Sequence, residues 1–98
     1  MSVKGNRTDG LWASREGVLE EVKQIVAVQL SIAPEQIQES SQLEADLGCD
    51  SIDVVEITME IEEHFDLTVP DDIGQQLRTI GDAVDGVMRL LGQNDSAQ

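Results

Sequence analysis

From Ser14 onward the apolar positions of this chain fall at helical intervals. Val18, Val22, Ile25, Val26, Gln29 and Leu30 follow i, i+4, i+7, i+8 spacing, which at about 100° per residue makes one stripe. The pattern predicts a first helix from about Ser14 to Leu30, capped by Ser14, with Glu16 in its first turn and Glu20, Glu21 and Lys23 facing water. A second pattern follows Gly48, which breaks whatever precedes it. Between Ile52 and Phe65 no Gly or Pro interrupts the chain, and either Asp50 or Ser51 can cap the helix this implies. Val54, Ile57, Thr58, Ile61 and Phe65 share one face. Ile52, Val55 and Met59 form another apolar stripe on nearly the opposite side, with Asp53, Glu56, Glu60 and Glu63 beside it. One apolar face belongs to a core. The other, rimmed by carboxylates and starting next to a hydroxyl at a helix N-terminus, has the character of a docking surface.

The remaining segments complete a small bundle. Ile32 to Gly48 is a long connection, and a loop of this length needs something to fix it. Ile37, Leu43 and Leu47 are spaced to anchor it on the helices, and Pro34-Glu35-Gln36-Ile37 suits a helical turn. After Phe65, the residues Leu67, Val69 and Pro70 read as an extended turn. Asp71 and Asp72 then open a short helix through about Gln76, with acids at its positive end and Gly74 weakening it. A last helix from about Ile80 to Leu91 places Ile80, Val84, Val87, Met88 and Leu91 together, and Gly92 is expected to end it. The expected fold class is therefore all-α: a four-helix antiparallel bundle, three helices long and one short, with a long loop between the first and second. Residues 14–92 form the domain, between an N-terminal tail (1–13) and a C-terminal tail (93–98). Leu11 and Trp12 interrupt the first tail, and Trp12 either folds back on the body or extends the first helix.

Composition narrows the function. Ninety-eight residues allow one modest core, and one Trp, one Phe and no Tyr make it aliphatic. Twenty acidic residues against six basic ones give a net charge of −14. The charge is segregated: between Lys23 and Arg78 there are thirteen carboxylates and no Lys or Arg. Such a field repels nucleic acid and anionic lipid and attracts basic protein patches. A single cysteine, Cys49, excludes an internal disulfide framework and gives no zinc pattern. No apolar run is long enough to span a membrane, and Lys4 and Arg7 lead into no apolar segment of the signal-peptide kind. A cytoplasmic monomer is expected.

Catalytic arrangements find little support. Ser51 lacks the G-x-S-x-G elbow, and the only histidine, His64, stands about 20 Å away along the same helix; it is expected simply to be solvated. Asp46, Asp50 and Asp53 do not fit a calcium loop, so no metal site is expected beyond weak divalent binding to the acidic surface. Cys49, next to Asp50, is expected to stay protonated and to act as a small filler.

Leu47-Gly48-Cys49-Asp50-Ser51-Ile52-Asp53 resembles the Asp-Ser-Leu modification motif of acyl carrier proteins. The resemblance continues through Val55-Glu56 and Glu62-Glu63-His64-Phe65 to Val69-Pro70-Asp71, and without gaps from about Val18 to about Leu91. It implies that Ser51 is esterified by 4′-phosphopantetheine from coenzyme A, whose thiol carries an acyl chain, and that Asp50 contacts the phosphopantetheinyl transferase. It implies further that Glu56, Glu62 and Glu63 pair with basic patches on acyl-processing enzymes, alongside Ile52, Asp53, Val55 and Met59. His64 departs from the acid common at that position. The family's acyl pocket maps onto Val55, Met59, Phe65, Val69, Gly74, Leu77, Ile80 and Ala83, positions equally consistent with an ordinary core.

The expected function is a non-enzymatic acyl carrier in type II fatty acid biosynthesis. A discrete carrier for a polyketide, a nonribosomal peptide or a specialised lipid is the nearest alternative. An unmodified acidic interaction module, in which Ser51 is only a cap, is the alternative from another class.

Overall fold

Four α-helices form where the apolar spacing predicts them. The computed structural model describes residues 14–96, so the expected N-terminal tail with Leu11 and Trp12 lies outside the described residues. Helix α1 spans Arg15–Leu30, α2 Ser51–Phe65, α3 Asp71–Gly74 and α4 Ile80–Ser96, with a 3-10 turn at Pro34–Gln36. Ser14 caps α1, its hydroxyl accepting from the Gly17 N–H at 3.1 Å. Val18, Val22, Ile25 and Val26 are buried as their spacing requires, and Ala27 joins them. α1 packs against both α2 and α4. Ile57, Ile61 and Phe65 of α2 and Ile80, Val84 and Val87 of α4 complete the core. Full burial of such side chains contributes about 1.5–3 kcal/mol each.

The long loop is held by hydrogen bonds as well as by apolar anchors. Ile37 and Leu43 are buried, and Leu47 packs against the core from its edge. The Leu43 N–H donates to the Arg78 carbonyl at 2.8 Å, the Ile80 N–H to Ser41 at 3.0 Å and the Gly81 N–H to Glu39 at 2.8 Å. These bonds stitch the loop to the segment entering α4, around an isolated antiparallel bridge between Gln42 and Thr79. Arg15 adds a surface clamp. Its guanidinium pairs with Glu39 of the loop and Asp85 of α4, and those carboxylates raise its pKa further above the usual value. Gly48, at φ +76°, makes the left-handed turn that delivers the chain into α2.

Two helix ends differ from expectation. α3 closes at Gly74 and does not reach Gln76. The Gln76 N–H bonds Ile73 and the Leu77 N–H bonds Gly74, so the chain relaxes into three-residue turns. Gly92 does not end α4, which continues to Ser96. Among the described residues Gly48 is the only glycine at positive φ, so Gly92 makes no left-handed cap. The left-handed stops are Ser31 (φ 59°) and Asp66 (φ 56°). There the next N–H reaches back to complete a Schellman-type turn, Ile32 to Ala27 at 3.0 Å and Leu67 to Glu62 at 3.1 Å. Ile32 and Leu67 pack against the core as they do so.

Candidate functional site at the head and outer face of α2

Asp50, and not Ser51, caps α2. The Asp53 N–H donates to Asp50 Oδ1 at 2.8 Å, and the Asp50 N–H donates to Asp53 Oδ2 at 3.2 Å. This reciprocal box satisfies two backbone donors at the helix start. Ser51 is then the first residue of the helix, solvent-exposed, with capping already done by its neighbours. Cys49, just ahead, is buried, and its thiol pKa is pushed up, first by burial and then by Asp53, Asp50 and Glu44.

Down the outer face of α2, Ile52, Val55 and Met59 remain 66%, 56% and 57% exposed. That is far more than aliphatic side chains with a core partner would show, so this ridge does not serve the bundle's own packing. Glu56, Glu60 and Glu63 are exposed around it, and Glu56 also accepts a hydrogen bond from Gln29 on α1. Two acids at expected docking positions have internal work. Asp53 belongs to the capping box. Glu62 is half-buried and accepts from the Val69 N–H at 2.9 Å, fixing the turn after α2. His64 is exposed but not merely solvated: its Nε2 lies 2.5 Å from Glu21 on α1, and its ring meets Phe65 edge-on.

The expected acyl-pocket residues separate into groups. Val69, Leu77 and Ala83 line a cavity of about 10 Å³ between α2, α3 and α4, about the room of one water. Phe65 and Ile80 are fully buried in the core but do not line it. Val55, Met59 and Gly74 border an open groove of about 350 Å³ between α2 and α3, which Val69 also lines. Ile61, Ile73, Gly86, Val87 and Leu90 complete the cavity wall, and none of them was singled out from sequence as pocket lining. A glycine interrupting the apolar pattern of a helix, as Gly86 does, is a signal of close packing. Among the described residues there is no cluster that could hold a metal ion, and no helix is long and apolar enough to cross a membrane.

The bundle leaves the Ser51 hydroxyl exposed at a helix head, and residues 20–87 match the family model described as the phosphopantetheine attachment site. Curated acyl carrier proteins align over most of the chain. That of a Sulfurovum species is 43% identical over 67 residues, 68% of this chain and 89% of the relative. That of Wolinella succinogenes is 40% identical over 67 residues, covering 68% and 88%. That of Phenylobacterium zucineum is 44% identical over 75 residues, covering 76% and 95%. Among solved structures, the apo doublet acyl carrier protein from prodigiosin biosynthesis superposes with a TM-score of 0.67 at 32% identity over 76% of this chain. This chain spans 36% of the doublet's length. The chain belongs to the acyl carrier proteins of the phosphopantetheine-attachment family. Its members are carriers and not catalysts; they bear the arm covalently, receive it from a transferase and present their cargo to acyl-processing enzymes.

The geometry fits such a group. A phosphodiester on the exposed Ser51 oxygen would stand at the N-terminus of a fifteen-residue helix. There the dipole and unpaired N–H groups favour an anion and offset repulsion from Asp50 and Asp53.

Proposed function

We propose that Ser51 is the residue that holds 4′-phosphopantetheine, and that the chain carries acyl intermediates of type II fatty acid synthesis in the cytoplasm as a monomer. The observation that carries this reading is the division of labour at the head of α2: Asp50 and Asp53 cap the helix, and the hydroxyl between them stays exposed. Ser51 does no chemistry once modified. It anchors an arm whose thiol supplies the thioester, and tethering turns a bimolecular encounter into an intramolecular one at raised effective concentration. Partner enzymes dock on the Ile52–Val55–Met59 ridge for apolar contact, with Glu56 and Glu63 setting encounter rate and orientation. Asp53 and Glu62 act mainly by holding the platform in shape, and Asp50 adds a contact to the transferase. The acidic surface disfavours nucleic acid and anionic membranes.

The prodigiosin doublet favours one second reading, a discrete carrier in a specialised pathway. Elongation assays separate the two. The holo chain is charged with a malonyl group and offered to the condensing enzyme of a type II fatty acid system. Sustained elongation, with kcat/KM reduced about tenfold or more by Glu56→Lys combined with Glu63→Lys, is the expected result. Charging without elongation would move the assignment to the specialised pathway.

A further inference from the structure

We propose that the uncharged, amide-bearing length of the arm rests in a polar groove between the long loop and the segment joining α3 to α4, held there by Gln42, Gln75 and Arg78. The inference rests on the reading of Ser51 as anchor and adds a binding site for the arm itself, separate from any site for its cargo. The groove has a volume of about 400 Å³ and is lined by Gln42, Glu44, Ala45, Gln75, Leu77 and Arg78. It shares only Gln75 with the groove between α2 and α3. Backbone holds its two walls together: the Leu43 N–H donates to the Arg78 carbonyl at 2.8 Å, and the Gln42–Thr79 bridge lies beside that bond. The side chains are uncommitted. Gln42, Glu44, Gln75 and Arg78 are exposed, and among the described residues none of these four side chains has a hydrogen-bond or ion-pair partner. Arg15, by contrast, is fully occupied by Glu39 and Asp85.

The lining selects the occupant. Arg78 supplies N–H donors only, Glu44 supplies acceptors only, and each glutamine amide supplies both. That mixture matches a chain of alternating amide carbonyls and N–H groups. It does not suit a free anion, because Glu44 borders the same space and the whole chain carries a charge of −14. Ala45 and Leu77 add apolar surface for the methyl groups that pantetheine carries between its amides and the phosphate. The site is also within reach. Ser51 stands two residues beyond Cys49, whose N–H donates to the Leu43 carbonyl at 2.9 Å, and Leu43 lies between Gln42 and Glu44. Followed through those links, the path from Ser51 to the groove is at most about 16 Å. Pantetheine laid out at extended-chain spacing covers a like distance. A short tether presents the amides at an effective concentration near millimolar, so a groove too weak to hold free pantetheine is filled by the attached arm.

The test uses the full chain loaded from coenzyme A carrying isotope-labelled pantetheine, verified by intact mass and then followed by NMR. In the wild type, the arm's methyl groups should show Overhauser contacts to Ala45 and Leu77. Its amides should have order parameters above about 0.6, the border of flexible behaviour. Gln75→Ala combined with Arg78→Ala truncates exposed side chains only, so the apo form should melt as the wild type does. In that variant the contacts should weaken about fivefold or more, the change expected from one lost hydrogen bond, and the arm amides should become mobile. Arm amides already mobile in the wild type, contacts to Val55 and Met59 in place of Ala45 and Leu77, or equal behaviour of wild type and variant would overturn the groove while leaving the anchor intact. Failure of loading at the mass step is a different result and would overturn the anchor reading itself.

Discussion

An alanine at Asp50 leaves the Asp53 N–H without its acceptor, and loss of such a cap costs about 0.5–2 kcal/mol. Ser51→Ala removes no hydrogen bond of the capping box, so it should change stability by less than about 0.5 kcal/mol while abolishing modification. Urea titrations of the two variants make the comparison; a large loss in Ser51→Ala would return the serine to a structural role. Cys49 gives a second check. Folding raises its thiol pKa, so ionisation favours the unfolded chain. Its contribution is fully present below the ordinary thiol value, about 8.5, and is lost as pH climbs through the raised folded value. Stability should fall in that alkaline range, with the Cys49 share of the fall absent in Cys49→Ala, and iodoacetamide should alkylate the native thiol more slowly than the unfolded one. At this scale the sequence showed Asp50 and Ser51 as equivalent capping candidates. The choice between them depends on where Asp53 aims its carboxylate, which spacing does not encode. Glu62 was likewise legible as a surface acid, and its turn inward to the Val69 N–H follows from the path of the chain after α2.

The two glycines of α4 with opposite surroundings separate propensity from packing. Gly92 has open space around it, and alanine there should gain up to about 1 kcal/mol. At Gly81 a Cβ would lie 3.1 Å from the Glu39 Cγ and 3.3 Å from its carbonyl oxygen, which is already held by the Gly81 N–H. Gly81→Ala should therefore lower Tm despite its better helix propensity, and an increase equal to that of Gly92→Ala would contradict the packing account. Helix bodies were legible because the Val18 and Ile57 stripes are local patterns. Helix ends were legible in part: α1 and α2 close at Leu30 and Phe65 as the spacing implies, with Ser31 and Asp66 turning left-handed where Ile32 and Leu67 pack on the core, whereas Gly92 has the residue type of a stop and α4 runs past it. The Ile73–Gly86 contact in the cavity wall was out of reach, since it joins two helices with no shared period.

Over the whole molecule, a net charge of −14 opposes compaction. Raising ionic strength from about 10 to 150 mM shortens the Debye length from about 30 to 8 Å, and Tm should rise by several degrees in calorimetry; a flat response would mean the acids are already balanced locally. The overall arrangement was readable from the chain because the segregated acids, the second apolar ridge and the motif around Ser51 agree with one another. The cavity system was not, because it arises from how α3 settles on α4. The central claim, that a hydroxyl at the head of α2 holds a swinging thiol, is tested most directly by mass. The apo chain is incubated with coenzyme A and a broad-specificity phosphopantetheinyl transferase, then fragmented. The account predicts a gain of one phosphopantetheine located on Ser51; no gain in a chain that remains folded, or a gain located on another residue, would contradict it.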